Sequence, residues 1–460
     1  MALLNIVIMA AGKGTRMKSA LPKVLHRLAG RSLLQHVLRT TEGLDAQTRI
    51  VITGHGAETV EAAVAAPALS FVRQMPQLGT GHAIQQAVPA LQGDAGTTLI
   101  LNGDVPLIRT ETATRLVEAC GGHSLALLTI ELADPAGYGR IVRGAQGVQA
   151  IVEHKDATPE QRLIREGYTG MMAAPTGALK RWVAQLNNRN AQGEYYLTDI
   201  VAMAVAEGVP VLGIAAPDET EVLGVNSPVQ LADLERRFQR QQAEQLMEQA
   251  GVRLADPARF DLRGSLQCGQ DVEIDVNCVF EGQVVLGDGV KIGANCVIRN
   301  ATIAAGARIH EFTHIDGEAA GVKVGEGALI GPFARLRPGA DLAAEVHIGN
   351  FVEVKNSTLA KGAKANHLAY LGDATVGERV NYGAGSITAN YDGANKHRTE
   401  IGADVHVGSN CVLIAPVTIG AGATIGGGST ITKNVGAGEL SVARGKQVAI
   451  ANWTRPAKKR

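Results

Sequence analysis

The sequence predicts two folds in one chain, an α/β sheet domain followed by a parallel β-helix. Three observations carry this. Aliphatic residues recur at every sixth position in the second half, strand-like and helix-like runs alternate in the first, and a charged amphipathic stretch lies between them. The six-residue clock starts near residue 272. It is clearest as Val324, Ile330, Leu336, Leu342, Ile348 and Val354, and again as Ile401, Val407, Leu413, Ile419, Ile425 and Ile431. A glycine often follows the aliphatic residue (Gly325, Gly331, Gly349, Gly402, Gly408, Gly420, Gly426). A small residue often stands four places after it (Ala328, Ala334, Ala340, Val352, Val405, Cys411, Ala423, Ser429). No α-helix or two-layer sheet has a period of six. Hexapeptide repeats build a solenoid whose coils each stack three short strands, the aliphatic residue pointing inward and the small one letting the chain turn the corner.

In residues 1–226, apolar runs at 5–9, 49–53, 98–101 and 125–132 alternate with helical stretches at 33–41, 58–65, 80–88 and 111–120. Such alternation predicts an α/β sheet with ligands at the carboxyl ends of its strands. Ser227 and Pro228 are start signals for a linker helix over 227–250, with Leu231, Leu234, Phe238 and Leu246 as its apolar stripe. The β-helix is expected over 251–454, and 455–460 form a basic tail.

Bulk properties narrow the function classes. At 460 residues, two or more domains are expected, and Lys+Arg equals Asp+Glu at 44 each, so no global field advertises nucleic acid or an anionic membrane. The apolar start is too short to span a bilayer and lacks a basic leader, and nothing longer follows, so a cytoplasmic chain without a transmembrane segment is expected. Five cysteines show no metal-ligand spacing, and Cys278, Cys296 and Cys411 fall in the small-residue slot of the clock, as reduced core residues would.

Two groups of residues point to chemistry. Met9, Ala10, Ala11, Gly12, Lys13 and Gly14 follow the first strand, where a glycine-rich turn lets backbone N–H groups approach phosphate oxygens. Lys13 followed by Gly14 excludes a Walker A loop, and Met17 replaces the third glycine of a dinucleotide fingerprint. Taken alone, the turn fits a plain strand–helix connection equally well. Arg16 and Lys23, two cations just downstream, favour a triphosphate. In the second half, the repeat breaks around 364–371 and at 383–400, and breaks in a solenoid are loops on one face. They concentrate His367, Tyr370, Asn390, Tyr391 and Asp392, while nearby coils supply Arg337 and Lys355. A lone histidine on a coil is usually structural, but with two cations and two tyrosines beside it this one suits a site for a phosphorylated substrate.

The N-terminal string, with Gln74, Leu78-Gly79-Thr80-Gly81, Asn102-Gly103-Asp104, Gly137-Tyr138-Gly139-Arg140, Glu153-His154-Lys155 and Gly224-Val225-Asn226, resembles the signature of sugar-phosphate nucleotidyltransferases. Joined to hexapeptide repeats over nearly the full length, it resembles the bifunctional bacterial uridyltransferase/acetyltransferases that make UDP-N-acetylglucosamine. The resemblance implies a Rossmann-like domain and a left-handed parallel β-helix assembled as a homotrimer, with Mg²⁺, UTP and acetyl-CoA as ligands. It implies that Met9, Ala10, Ala11, Gly12, Lys23, Gln74, Gly79, Thr80, Asn102 and Asp104 bind the nucleotide, with Arg16 and Lys23 steadying its phosphates. Asp104 and Asn226 would hold the metal, and Gly139, Glu153, Tyr168 and Asn226 the N-acetylglucosamine moiety. In the β-helix it implies His367 as general base, with Arg337, Lys355, Tyr370 and Asn381 on the sugar phosphate. Ala384, Asn390, Tyr391, Ser409, Gly427 and Arg444 would meet acetyl-CoA. Three residues depart from the family pattern: Asn102 where an aromatic residue is expected, Tyr168 where Asn is, and Gly427 where Ala is. The first two bear on sugar and base selectivity, not on the reaction class.

Two other readings use the same residues. One keeps the nucleotidyltransferase and makes the β-helix a trimerisation or regulatory module. The other is a zinc-dependent hydrolyase, but His314, His347, His367 and His406 form no short ligand pair, and it leaves Arg337 and Lys355 unused.

Overall fold

A computed structural model of the chain describes residues 3–144, 147–456 and 458. Of the expected basic tail, Ala457, Lys459 and Arg460 lie outside these residues. The chain forms two compact units, Met1–Phe238 and Gln239–Arg460.

The first unit is built on β1 (Leu4–Met9), β2 (Thr48–Thr53), β3 (Ser70–Arg73), β4 (Thr97–Asn102), β5 (Leu125–Glu131), β6 (Gly139–Gly144), β7 (Gly147–Val152), β8 (Glu166–Pro175) and β9 (Val211–Ala215). The main sheet runs β9-β5-β8-β4-β1-β2-β3, with β8 antiparallel to its neighbours and the antiparallel pair β6–β7 joined to β8. β1 is apolar throughout because both faces are covered. Ile6 and Ile8 pack with Leu34, Val37, Val60 and Leu116 from helices on one face, and Val7 with Ile84, Leu179, Trp182 and Ile200 on the other. After β3 the chain crosses back to place β4 on the other side of β1, so the strand order reverses there, with Met9 paired to Asn102 at the strand ends. Ligands of open α/β sheets bind at such a switch point.

The helix Pro228–Ala250 starts where the sequence predicts, with Ser227 Oγ accepting the Gln230 N–H at 3.3 Å. In the first unit, Leu231, Leu234 and Phe238 pack with Met17, Leu28 and Leu33. In the second, the Gln239 amide exchanges two hydrogen bonds with the Leu262 backbone (2.7 and 3.0 Å), and Ala243 and Leu246 cover the first coil.

The second unit is a parallel β-helix of three strand stacks. One is an eleven-stranded sheet, and the other two form a sheet that forks after Val297–Ile303. Register places Ile348 under Ile330, Val354 under Leu336 and Leu359 under Leu342, so inward residues sit on inward residues. All clock residues are at most 4% exposed. The small residues lie beside them in the core, Cys278 and Cys296 included, and burial pushes those two thiols up to about 11 and about 12.

Two expectations need correction. Residues 364–371 are not a loop: Lys364–His367 and Tyr370–Gly372 are strands in register with the coils on either side. The clock slips because this coil advances 17 positions, from Val354 to Leu371, and places Ala365 in the inward slot. The second break is shorter than expected, since Ile387–Ala389 still pairs with Val412–Ile414. Only 390–398 leaves the coil before Thr399–Ile401 resumes it.

Candidate functional sites

The turn after β1 is held by Ala10 N–H donating to Ile52 O (2.8 Å) and Gly103 N–H to Met9 O (2.9 Å). Gly14 has φ 61°, and a Cβ there would lie 2.6 Å from Lys23 Cβ, so this glycine makes room for the lysine stem. The Lys23 ammonium donates to the Asp104 carboxylate and to Asn226 Oδ1 (3.0 Å). Asn226 reaches that point because Val225 N–H donates to Asp104 O at 2.9 Å. On the other wall, Gln74 is buried and donates through Nε2 to Gly79 O at 2.9 Å. Gly79 has φ 107°, and a Cβ on it would meet Tyr195 O at 2.6 Å. Thr80 Oγ1 accepts the Leu197 N–H at 3.1 Å. These residues enclose a cavity of about 300 Å³ at the ends of β1 and β4.

A second cluster forms where β6 meets β8. Gly139 pairs with Tyr168, and a Cβ on Gly139 would lie 3.7 Å from Glu153 Oε2. Glu153 accepts a bond from Thr198 Oγ1 at 3.0 Å. Burial, above all, raises its carboxyl pKa against that bond, and Asp156, Asp199 and Glu194 add to the rise. Burial and then Glu153 push the Tyr168 phenol well above its ordinary value, and its hydroxyl has no partner among the described residues. Glu194 also lines the cavity, so the two clusters adjoin.

On the β-helix, His367 ends a first-stack strand at a corner and lies beneath Asn350, with Nδ1 3.0 Å from Asn350 Oδ1. With that oxygen accepting, Nδ1 carries the proton and Nε2 keeps its lone pair. Ala384, Ser409 and Gly427 continue the column below, each just before a corner residue. Arg444 donates to Gly427 O at 2.7 Å. Lys355 lies beneath Arg337 on the second stack, and Tyr370 extends over Gly372, where a Cβ would sit 2.2 Å from its hydroxyl. The like charge of Arg337, then a contact with the Lys396 ammonium, holds the half-buried Lys355 ammonium below its usual pKa, a pairing that suits an anion. Asn390 and Tyr391 open the inserted segment, where Tyr391 bridges Lys396 and donates to Gly393 O at 2.6 Å.

Residues 6–184 match a MobA-like NTP transferase domain, and 266–300 and 398–433 match the bacterial transferase hexapeptide repeat. The chain is 75% identical to the bifunctional protein GlmU of Methylibium petroleiphilum over all of both chains. It is 70% identical to the protein of that name in Paracidovorax citrulli (all of this chain, 99% of the relative), and 70% to that in Polaromonas naphthalenivorans (99% and 98%). The chain belongs to the GlmU family. Like the family, it joins a uridyltransferase to an acetyltransferase.

Against that family pattern, the cavity gathers all of Met9, Ala10, Ala11, Gly12, Lys23, Gln74, Gly79, Thr80, Asn102 and Asp104. Arg16 is not among its walls; it lies exposed on the turn Thr15–Met17. Asn102 donates to Thr169 O at 3.5 Å, and a Cβ on Gly170 would fall 2.3 Å from its amide nitrogen. In the β-helix, Asn381 is not brought to Arg337, Lys355 and Tyr370. It stands on the first stack beside His406, while they stand on the second. Sequence reasoning missed Gln77 and Glu194 on the cavity wall, and Asn350 and Lys396 on the β-helix. Lys396 was within reach, since it lies in the break already singled out. Nothing in the periodicity distinguishes Asn350.

Proposed function

We propose that the α/β unit transfers a uridylyl group from UTP to N-acetylglucosamine-1-phosphate, and that the β-helix acetylates glucosamine-1-phosphate from acetyl-CoA to supply that substrate. The reading rests chiefly on the meeting of Lys23, Asp104 and Asn226 at the mouth of a cavity built at the sheet's switch point. A phosphate oxygen of the sugar attacks the α-phosphorus of UTP and pyrophosphate leaves, so the protein's task is alignment and charge neutralisation. The turn Met9, Ala10, Ala11 and Gly12 offers backbone N–H groups, Gln74 and Gly79-Thr80 face the base, and Lys23 neutralises charge. Arg16 is the second cation, reaching from its exposed turn. Gly139, Glu153, Tyr168 and Asn226 receive the sugar, Glu153 as acceptor for its hydroxyls.

One carboxylate and one amide oxygen, gathered on one ammonium, make a hard donor set that fits Mg²⁺ with few protein ligands. Asp104 and Asn226 would hold it, and the ion supplies charge neutralisation at the phosphates when bound.

In acetyl transfer, His367 Nε2 takes a proton from the substrate amine as its nitrogen attacks the thioester carbonyl. The carbon–sulfur bond then breaks and coenzyme A leaves as the thiol. Arg337, Lys355 and Tyr370 hold the sugar phosphate and Asn381 the amino sugar. Asn390, Tyr391, Ala384, Ser409, Gly427 and Arg444 line the coenzyme's path.

Asn381 lies on a different face from Arg337, Lys355 and Tyr370, which supports a site completed by a neighbouring subunit, as in a homotrimer. A column of Phe312, Phe333, Phe351 and Leu368 supports it. These residues are about half exposed, the rings stack at 5.0 and 5.4 Å, and all four stand at positive φ. Other coils hold Asn277, Asn295, Gly385, Asn410 or Gly428 at that corner, residues that tolerate the left-handed region. Exposed bulky side chains in a strained conformation, beside His367, favour a contact between copies. The cytoplasm, where UTP and acetyl-CoA are found, is the proposed location; among the described residues no helix is long and apolar enough to cross a membrane.

The test is thiol release from acetyl-CoA with glucosamine-1-phosphate and no UTP, in wild type and His367→Ala. Release abolished by the substitution supports acetyl transfer in the β-helix. No release from an assembled trimer reduces the β-helix to a scaffold.

A further inference from the structure

One buried carboxylate on the acetyl-transfer face has no role so far. Asp373 turns the corner between Tyr370–Gly372 and Ala374–Val376, at φ 50° and only 7% exposed. Amides from the coils above and below converge on it: Asn356 Nδ2 donates to one carboxylate oxygen and Asn390 Nδ2 to the other. Its backbone carbonyl accepts the Thr399 N–H at 3.1 Å. Asp373 therefore ties down both ends of the inserted segment 390–398, which carries Tyr391 and Lys396. Its own N–H donates to Lys355 O at 3.1 Å, and its charge opposes part of the repulsion that Lys355 receives from Arg337.

A carboxylate only accepts hydrogen bonds, so its contact decides which way the Asn390 amide faces. With Nδ2 bound to Asp373, Oδ1 points away as an acceptor. We propose that Asp373 is a positioning residue for acetyl transfer: it anchors the inserted segment at both ends and fixes the Asn390 amide with its oxygen toward an N–H donor of the reacting ligands. This rests on the acetyl-transfer reading above.

The pair can be exchanged. Asn390→Asp sets two carboxylates against each other, and thiol release is expected to fall about tenfold or more at pH 8. The loss should shrink as pH is lowered, because the pair takes up one proton and can donate again. Adding Asp373→Asn restores a donor on the opposite side and should return thiol release to within about threefold of wild type. Asp373→Asn alone keeps volume and one acceptor and is expected to lose about threefold. Uridylyl transfer, measured on each variant, should stay at the wild-type rate and reports the α/β unit, while an unchanged mass by light scattering reports the β-helix. A pH-independent loss, or no recovery in the double variant, overturns the role of Asp373. Wild type without thiol release overturns the acetyl-transfer reading itself, so the two failures are distinguishable.

Discussion

In the α/β unit the candidate residues face one another across a cavity of about 300 Å³, whereas in the β-helix they stand on two outer faces that meet at the His367 corner. The contrast follows from the folds. An open sheet whose strand order reverses leaves a crevice between the loops on either side, and one chain can line it completely. A solenoid packs its interior with stacked aliphatic residues and leaves only its outside for chemistry. On the proposed reading, a neighbouring copy supplies the enclosure.

The largest expected effects separate the two regions. His367→Ala should lower thiol release by about 10²–10⁴-fold, the worth of a general base, and leave pyrophosphate release from UTP unchanged. Lys23→Ala should do the reverse, by about 10²–10³-fold, because it removes the cation shared by Asp104 and Asn226. A variant that lost both activities together would break the separation.

Assembly tests the contrast next. Phe333→Asp with Phe351→Asp sets two charges into the stacked column and should shift the mass by light scattering from trimer toward monomer. Thiol release should fall with it by about tenfold or more, while uridylyl transfer, whose cavity one chain completes, persists. An intact trimer carrying both substitutions would move the contact elsewhere.

The fold was largely legible because both halves repeat. Strand and helix periods located four strands and four helices to within a residue or two, as with Leu125–Glu131 against an expected 125–132, but not Ser70–Arg73 or the strands after residue 132. The clock located the core of the β-helix, but it misread 364–371 as a loop: once one position is dropped and alanine takes the inward slot, periodicity has nothing to register. The cavity of the α/β unit was legible for a different reason. Its residues sit in short motifs at strand ends, whereas Glu194 enters from a segment with no motif, through the Tyr195 backbone that pairs with Leu78 and Gly81. Asn350 was illegible because its part is a register contact, visible only when the coils are stacked.

Gly79→Ala should cost uridylyl transfer about 10–100-fold, since a Cβ at φ 107° would press on Tyr195 O at 2.6 Å and displace the wall that Gln74 also braces. Glu153→Gln should cost about tenfold through the lost charged acceptor, yet stabilise the fold. Burial holds the Glu153 carboxyl above its unfolded pKa, so the native state binds the proton more tightly and loses stability as pH rises through that raised value. The melting temperature of Glu153→Gln should therefore exceed that of wild type at neutral pH, by about 2–4 °C for each kcal/mol recovered. The difference should vanish below about pH 4, where the unfolded chain is protonated as well. Equal melting at all pH values would show that the buried carboxyl carries no penalty.

The smallest effect is the same glycine-to-alanine change on the β-helix. Gly427 stands where the family resemblance leads one to expect alanine, in the column below His367 and Ser409. Its φ lies outside the left-handed region, and an added Cβ would meet only the Ser409 backbone, O at 3.4 Å and N at 3.8 Å, ordinary contacts. Arg444 reaches its carbonyl, which the substitution leaves in place. Gly427→Ala should therefore leave both the coenzyme KM and the turnover of thiol release within about twofold of wild type. A larger change in KM would mean that the coenzyme uses the hydrogen at that position, and that this outer face fits its ligand as closely as the cavity around Gly79 does.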